Sequence, residues 1–112
     1  MPIHYAAQHG NILFMHYLIC LGEDINIQDK ENHTALHWAV YNKQGEMCTY
    51  LLNRSSCNIN AVDINGWTPL HWAIMKGSSP IVHLLLSKNP NITITDHNGL
   101  TPKGLARQHK LP

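Results

Sequence analysis

Trp67-Thr68-Pro69-Leu70-His71-Trp72-Ala73 decides the fold of this 112-residue chain, because the same words return elsewhere in it. His33-Thr34-Ala35-Leu36-His37-Trp38-Ala39 repeats the stretch one unit earlier. Worn copies stand at Pro2-Ile3-His4-Tyr5-Ala6 and at Thr101-Pro102-Lys103-Gly104-Leu105-Ala106. The matching positions His4, His37, His71 and Gly104 are 33, 34 and 33 residues apart. Self-similarity at that period marks a stacked array in which each unit is one small helical motif.

Within each unit the sequence predicts a turn followed by two short antiparallel helices. Asn65-Gly66 is turn chemistry. Thr68 can cap the next helix through its hydroxyl, and Pro69 fits the first helical position, where its missing N–H costs nothing. Leu70, Ala73 and Ile74 then share one face. Gly77 ends that helix, and Ser79-Pro80 starts a second by the same cap-then-proline device, burying Ile81, Val82, Leu85 and Leu86. The second unit repeats the plan, with Leu36, Ala39 and Val40 on one helix and Met47, Cys48, Leu51 and Leu52 on its partner. Its one additional residue falls in the Arg54-Ser55-Ser56-Cys57 loop, where an insertion is cheap. In the first unit Pro2 opens a helix that ends at Gly10. Asn11 begins the next, with Leu13, Phe14, Tyr17, Leu18 and Leu21 as its buried face, and Ile25 and Ile27 alternate in an extended connector. The last unit supplies one helix, Thr101 to Lys110, polar enough to cap the stack. The chain thus reads as one domain, 1–112, with units at 1–28, 29–62, 63–95 and 96–112. Met1 in the threonine position, with no turn before it, makes the chain read as a fragment of a longer protein.

Composition bounds the function. Hydrophobic residues make up 44% and charged residues 13%, and eight basic against seven acidic side chains leave a net charge of +1. Single scattered charges give no footprint for nucleic acid or anionic lipid. The longest apolar run, Ile12 to Leu21, is ten residues broken by His16, whereas a bilayer span needs about 20. Cys20, Cys48 and Cys57 form an odd set without CxxC spacing and read as reduced thiols in a cytoplasmic setting. Three sequons, at Asn32, Asn53 and Asn91, are chance matches in that setting.

A period of 33 residues with Thr-Pro-Leu-His opening the first helix resembles the ankyrin repeat family over essentially the whole chain. The resemblance implies an all-α solenoid of about three and a half repeats, with β-hairpin or turn fingers and a concave surface that binds a protein partner. It also implies that His4, His37 and His71 hydrogen-bond between neighbouring repeat turns.

No catalytic, metal or cofactor site is readable. Nine histidines come without an HExxH motif or a carboxylate partner, and His33 lies before the cap, off the face of His37. No nucleophile sits in a strained turn and no glycine-rich loop precedes a helix with lysine. Cys57 reads as the only reachable thiol, and an inert one, since Arg54 alone would lower its pKa.

The aromatic residues carry the functional signal. Tyr5, Trp38 and Trp72 occupy one position in three successive inner helices, directly after the motif histidine. Packing between repeats would explain them. So would a groove with aromatic walls, since tryptophan offers much contact area at low entropy cost. Trp67 sits at the finger-to-helix junction, where an exposed tryptophan needs a reason. The expected partner surface is Trp38, Tyr41, Asn42, Trp67, Trp72, Met75 and Lys76.

Closer words narrow the resemblance. Thr34-Ala35-Leu36-His37-Trp38-Ala39-Val40, Thr68 to Ala73, the ending Leu105-Ala106-Arg107-Gln108-His109-Lys110 and the expansion after Leu51-Leu52 are similar to the ankyrin-repeat DHHC-type protein S-palmitoyltransferases. That implies a module on the cytosolic face of a membrane that recruits clients carrying a short extended motif, with Trp38 and Trp72 at the matching groove positions. The Asp-His-His-Cys motif is absent here, so no catalytic residue transfers. Three functions are therefore open to the chain: a monomeric, non-enzymatic protein-interaction module, a palmitoyltransferase's recruiting domain, or a structural spacer.

Overall fold

The computed structural model describes residues 2–108. Seven helices alternate with turns: α1 Pro2–His9, α2 Ile12–Cys20, α3 Ala35–Tyr41, α4 Gly45–Leu52, α5 Pro69–Lys76, α6 Ser79–Leu86 and α7 Pro102–Gln108. Helices this short do not hold in water alone, so packing must hold them. The odd-numbered helices pack in sequence, α1 on α3, α3 on α5 and α5 on α7, while α2, α4 and α6 back them from outside. The resulting stack is elongated, 41 × 26 × 22 Å. Its core runs the length of the stack between the two helix rows: Ile3, Ala6 and Ala7, then Leu36, Ala39 and Val40, then Leu70 and Ala73, closed by Met15, Met47, Leu51, Ile81 and Leu85.

Helix starts follow the capping logic closely. Thr34 and Thr68 each accept a bond from the backbone N–H of the motif histidine, and that histidine's Nδ1 accepts the threonine N–H in return. Histidine here takes the place that glutamate usually holds in a capping box. Because Nδ1 accepts, Nε2 carries the proton and donates to a backbone carbonyl of the next finger: His37 to Trp67 O at 2.9 Å, His71 to Leu100 O at 3.1 Å. His4 departs from this, bonding Ile27 O at 3.0 Å while its Nδ1 is buried without a partner.

The fingers close as tight turns, and no residue among those described forms a strand. In each, an aspartate N–H reaches the carbonyl four residues on: Asp29 to His33, Asp63 to Trp67, Asp96 to Leu100. Successive fingers share one backbone bond, Ile64 N to Glu31 O and His97 N to Asn65 O, too few for a β-ladder. The tip residue is left-handed in all three. Gly66 and Gly99 suit that conformation, and a Cβ at Gly66 would lie 3.1 Å from the next finger's backbone. Asn32 holds the same place in the first described finger.

Five expectations need correction. Leu86 is 46% exposed, because the side of α6 turned fully into the core is Ile81 and Leu85. The buried face of α2 is Met15 and Leu18, while Leu13 (84% exposed), Tyr17 and Leu21 point outward. That helix is apolar all round, so periodicity has no polar face by which to orient it. Ser79 is the first helical residue of α6, and Ser78 is the cap, without a side-chain bond. Ile25 and Asn26 form a turn in place of an extended connector. Cys20 is the exposed thiol, whereas Cys57 is packed against the core. Burial pushes Cys57 up to about 11 and Cys48 up to about 12, so both stay protonated. The expectations on Met1, and on the capping helix beyond Gln108, lie outside the described residues.

Candidate functional site

One aspartate organises each finger. Asp29, Asp63 and Asp96 stand 34 and 33 residues apart, the repeat's own spacing. In each, Oδ1 accepts the N–H groups two and four residues on, which fixes the turn: Glu31 and His33, Asn65 and Trp67, Asn98 and Leu100. Oδ2 is then free to take a ring N–H. Trp38 donates to Asp29 Oδ2 at 2.8 Å and Trp72 to Asp63 Oδ2 at 2.8 Å, each within its own repeat. Trp67 reaches forward to Asp96 Oδ2 at 2.9 Å, across the junction. Burial raises the Asp29 and Asp96 carboxyls. The bonds from their indole partners and backbone amides outweigh it and hold both below the usual carboxylate range.

His33 occupies the register of Trp67 one repeat earlier. Its Nε2 lies 3.1 Å from Asp63 Oδ2, and its buried Nδ1, 3.7 Å from Asp29 Oδ1, has no hydrogen-bond partner. The sequence offers the histidines no evident carboxylate partner; the structure puts His33 between two. The pair becomes visible in the sequence only when His33 is aligned with Trp67 and the aspartates are seen to recur.

An imidazole is smaller than an indole, and above His33 a cavity of about 300 Å³ opens between the second and third repeats. Glu31, His33, His37, Trp38, Tyr41, Asn65 and Trp72 line it. The Trp38 and Tyr41 rings meet at 73° and 6.2 Å, and the Tyr41 and Trp72 rings at 78° and 5.2 Å, so they stand as adjoining walls. His37 beneath them is pulled down to about 4, burial dominating over the raising influence of the Trp67 carbonyl and Asp63, and stays neutral at physiological pH. Lys76 Nζ sits 4.4 Å from the Tyr41 ring centroid.

Of the seven residues expected to form a partner surface, the structure gathers five. Trp38, Tyr41, Trp72 and Trp67 form one chain of ring contacts, Trp67 meeting Trp72 at 4.7 Å, and Lys76 joins through Tyr41. Asn42 turns back on its own helix, its Nδ2 donating to Trp38 O at 3.0 Å. Met75 is half-buried near the end of α5. The tryptophans are themselves half-buried, and Tyr41 is the more open ring at 43%. Trp67 turns one face into the molecule, lying nearly parallel to the His71 ring at 12°. Glu31, His33, His37 and Asn65 are missing from the expected set.

Away from this site, Cys20 Sγ lies 3.5 Å from His16 Nε2, and His16 Nδ1 lies 2.8 Å from the Tyr50 hydroxyl. No group of three His, Cys, Asp or Glu placed to hold a metal ion occurs among the described residues, and no described helix is long and apolar enough to cross a membrane.

Comparison with known proteins supplies the family. The family model described as ankyrin repeats, in three copies, matches residues 3–96. Palmitoyltransferase AKR1 of Lachancea kluyveri is 32% identical over 104 residues, 90% of this chain and 14% of that protein. Putative palmitoyltransferase ZDHHC13 of Danio rerio is 31% identical over 111 residues, 98% of this chain and 17% of its own length. Transient receptor potential cation channel subfamily A member 1 of Homo sapiens is 33% identical over 102 residues, 89% of this chain and 9% of the channel. The chain therefore spans less than a fifth of each of these relatives.

Proposed function

The chain belongs to the ankyrin-repeat family, and we propose that it is a protein-interaction module that binds an extended segment of a partner protein along the finger side of its inner helices. Ankyrin repeats generally serve protein interactions, and fold alone does not name a target. The observation that carries this reading is the continuous ring surface Trp38–Tyr41–Trp72–Trp67, opening into a cavity at the junction of two repeats. Half-buried aromatic side chains beside a preformed cavity are what an interface hot spot requires, because their rotamers are fixed before the partner arrives. Asn42 and Met75 would border the contact.

The test is selection of displayed peptides on the folded chain, followed by affinity measurement on Tyr41→Ala and Trp72→Ala. The reading expects losses of about tenfold or more, the scale of an interface anchor, with Lys88→Ala on another face leaving affinity unchanged. Peptides that bind every variant alike would remove it.

A second reading has its own support. Two of the relatives are named as palmitoyltransferases, one as putative, and their similarity reaches this chain through the ankyrin region. On that reading the module recruits clients to a membrane-bound acyltransferase from the cytosolic side. It holds if the parent protein continues into a cysteine-rich Asp-His-His-Cys domain between transmembrane helices, and fails if it does not. A structural spacer would bind no selected peptide on this face at all.

A further inference from the structure

The cavity between the second and third repeats has a chemistry more specific than a generic groove. Its walls are ring faces, since the Trp38 and Trp72 indole N–H groups are already bound to Asp29 and Asp63 and offer nothing to a ligand. Glu31 is exposed on the lining, and Asp29 and Asp63 lie outside it, at the N–H edges of the two indoles. The Lys76 ammonium stands 4.4 Å from the Tyr41 ring centroid, so that ring already holds one cation, from a lysine outside the cavity lining. Glu31 and Asn65 are the exposed polar lining groups, few acceptors for the three N–H bonds of a bare ammonium. A methylated ammonium has fewer N–H bonds to satisfy and spreads its charge over C–H groups that rest on ring faces.

We propose that this cavity receives a methylated ammonium group, the head of a di- or trimethylated lysine carried by the partner segment. The inference rests on the finger side being the partner surface. The volume of about 300 Å³ suits such a group with its stem, and the near-perpendicular rings surround it as flat stacking could not. The junction between repeats supplies the walls from both sides: Trp38 and Tyr41 come from α3, Trp72 from α5.

The experiment follows the indole N–H resonances of the ¹⁵N-labelled chain during titration with tetramethylammonium chloride and with Nα-acetyl-trimethyllysine amide. The controls are the unmethylated lysine amide and a neutral tert-butyl analogue of the trimethyllysine. Saturable shifts of Trp38 and Trp72 are expected, with Trp67 moving least. The neutral analogue should bind about tenfold more weakly, the size of a partly desolvated cation–π term. Tyr41→Leu should weaken the trimethyllysine several-fold, Glu31→Gln about twofold to threefold, and Lys76→Met should strengthen it. Tyr41, Glu31 and Lys76 are open enough to replace without loss of the fold, which circular dichroism would check. Equal binding of the neutral analogue, preference for bare lysine, or indifference to Tyr41→Leu would overturn the proposal. Selected peptides that bind through Tyr41 and Trp72 while the ammonium probes move no indole would overturn this inference alone. Peptides that bind nowhere on this face would overturn the interaction reading with it.

Discussion

The junction between the second and third repeats and that between the third and fourth follow one plan with different results. At each, a motif histidine donates to the next finger's backbone, and a finger aspartate meets a ring from the repeat before. At the later junction that ring is Trp67, which packs on Trp72 and His71 and bonds Asp96. At the earlier one it is His33, a smaller ring, and it lines the aromatic-walled cavity. Asp63 also serves two rings, Trp72 and His33, where Asp96 serves one. The linking ring is not the sole difference: the walls Tyr41 and Trp72 of the earlier junction stand where Met75 and Leu105 stand at the later one. In a repeat array, a site can be made by changing a few residues in fixed register.

Asp63→Ala should give the largest effect and sharpen the contrast. It strands two part-buried backbone amides, the Trp72 indole and His33, and should cost about 3–4 kcal/mol, against about 2 for Asp96→Ala, which strands one ring fewer. Urea midpoints at constant m-value would measure both; equal losses would make the two junctions energetically alike.

Acid should act next, through His37. Its folded pKa of about 4 lies below the ordinary 6.5, so between those values the unfolded chain binds the proton and the folded chain does not. The stabilisation from a neutral His37 is complete above pH 6.5 and is lost as pH falls toward 4, about 3 kcal/mol in all. Asp29 and Asp96 have lowered carboxyls, so their contribution persists to lower pH and fades below about 3.8. Because His37 bonds Trp67 O across the earlier junction, that junction should open first. Amide exchange at Trp67 and Trp72 compared with Leu100, from pH 7 to 4.5, would show it, and a pH-independent stability over that range would contradict it.

Lys43→Gly is the smallest change and would erase a difference between the repeats. Lys43 ends the inner helix of the second repeat at φ 55°, where the third uses Gly77 at φ 68°. Glycine there should stabilise the chain by about 1 kcal/mol by removing left-handed strain. A loss of stability would mean that the lysine side chain contributes more than its backbone strain costs.

Much of this is legible in the sequence because repetition magnifies weak signals. One Thr-x-x-His proves little; two copies at a fixed spacing, with two worn ones, set the helices, caps and histidine links. Tyr5, Trp38 and Trp72 are legible as one register, yet their burial is not. Tyr5 is 59% exposed while the tryptophans are half-covered, because each indole is drawn to an aspartate nine residues earlier. The finger aspartates read as turn residues, and nothing local reveals that Oδ1 serves the turn and Oδ2 the ring. His33 looks idle in its place before a helix, although its partners lie in the fingers. Leu13, Tyr17 and Leu21 mislead because a helix apolar on every side carries no phase.

The extra residue in the second repeat has a practical meaning. After it, Asn58 resumes the pattern, its N–H donating to Asn26 Oδ1 at 2.7 Å, as Asn91 N–H does to Asn60 Oδ1 at 2.8 Å one repeat later. The Arg54–Cys57 stretch thus absorbs a change in chain length before the rung that restores register, and none of its residues lines the aromatic cavity. Ser55, exposed within it, is where a fluorophore, a purification handle or a whole inserted domain could be grafted while the ligand face keeps its geometry.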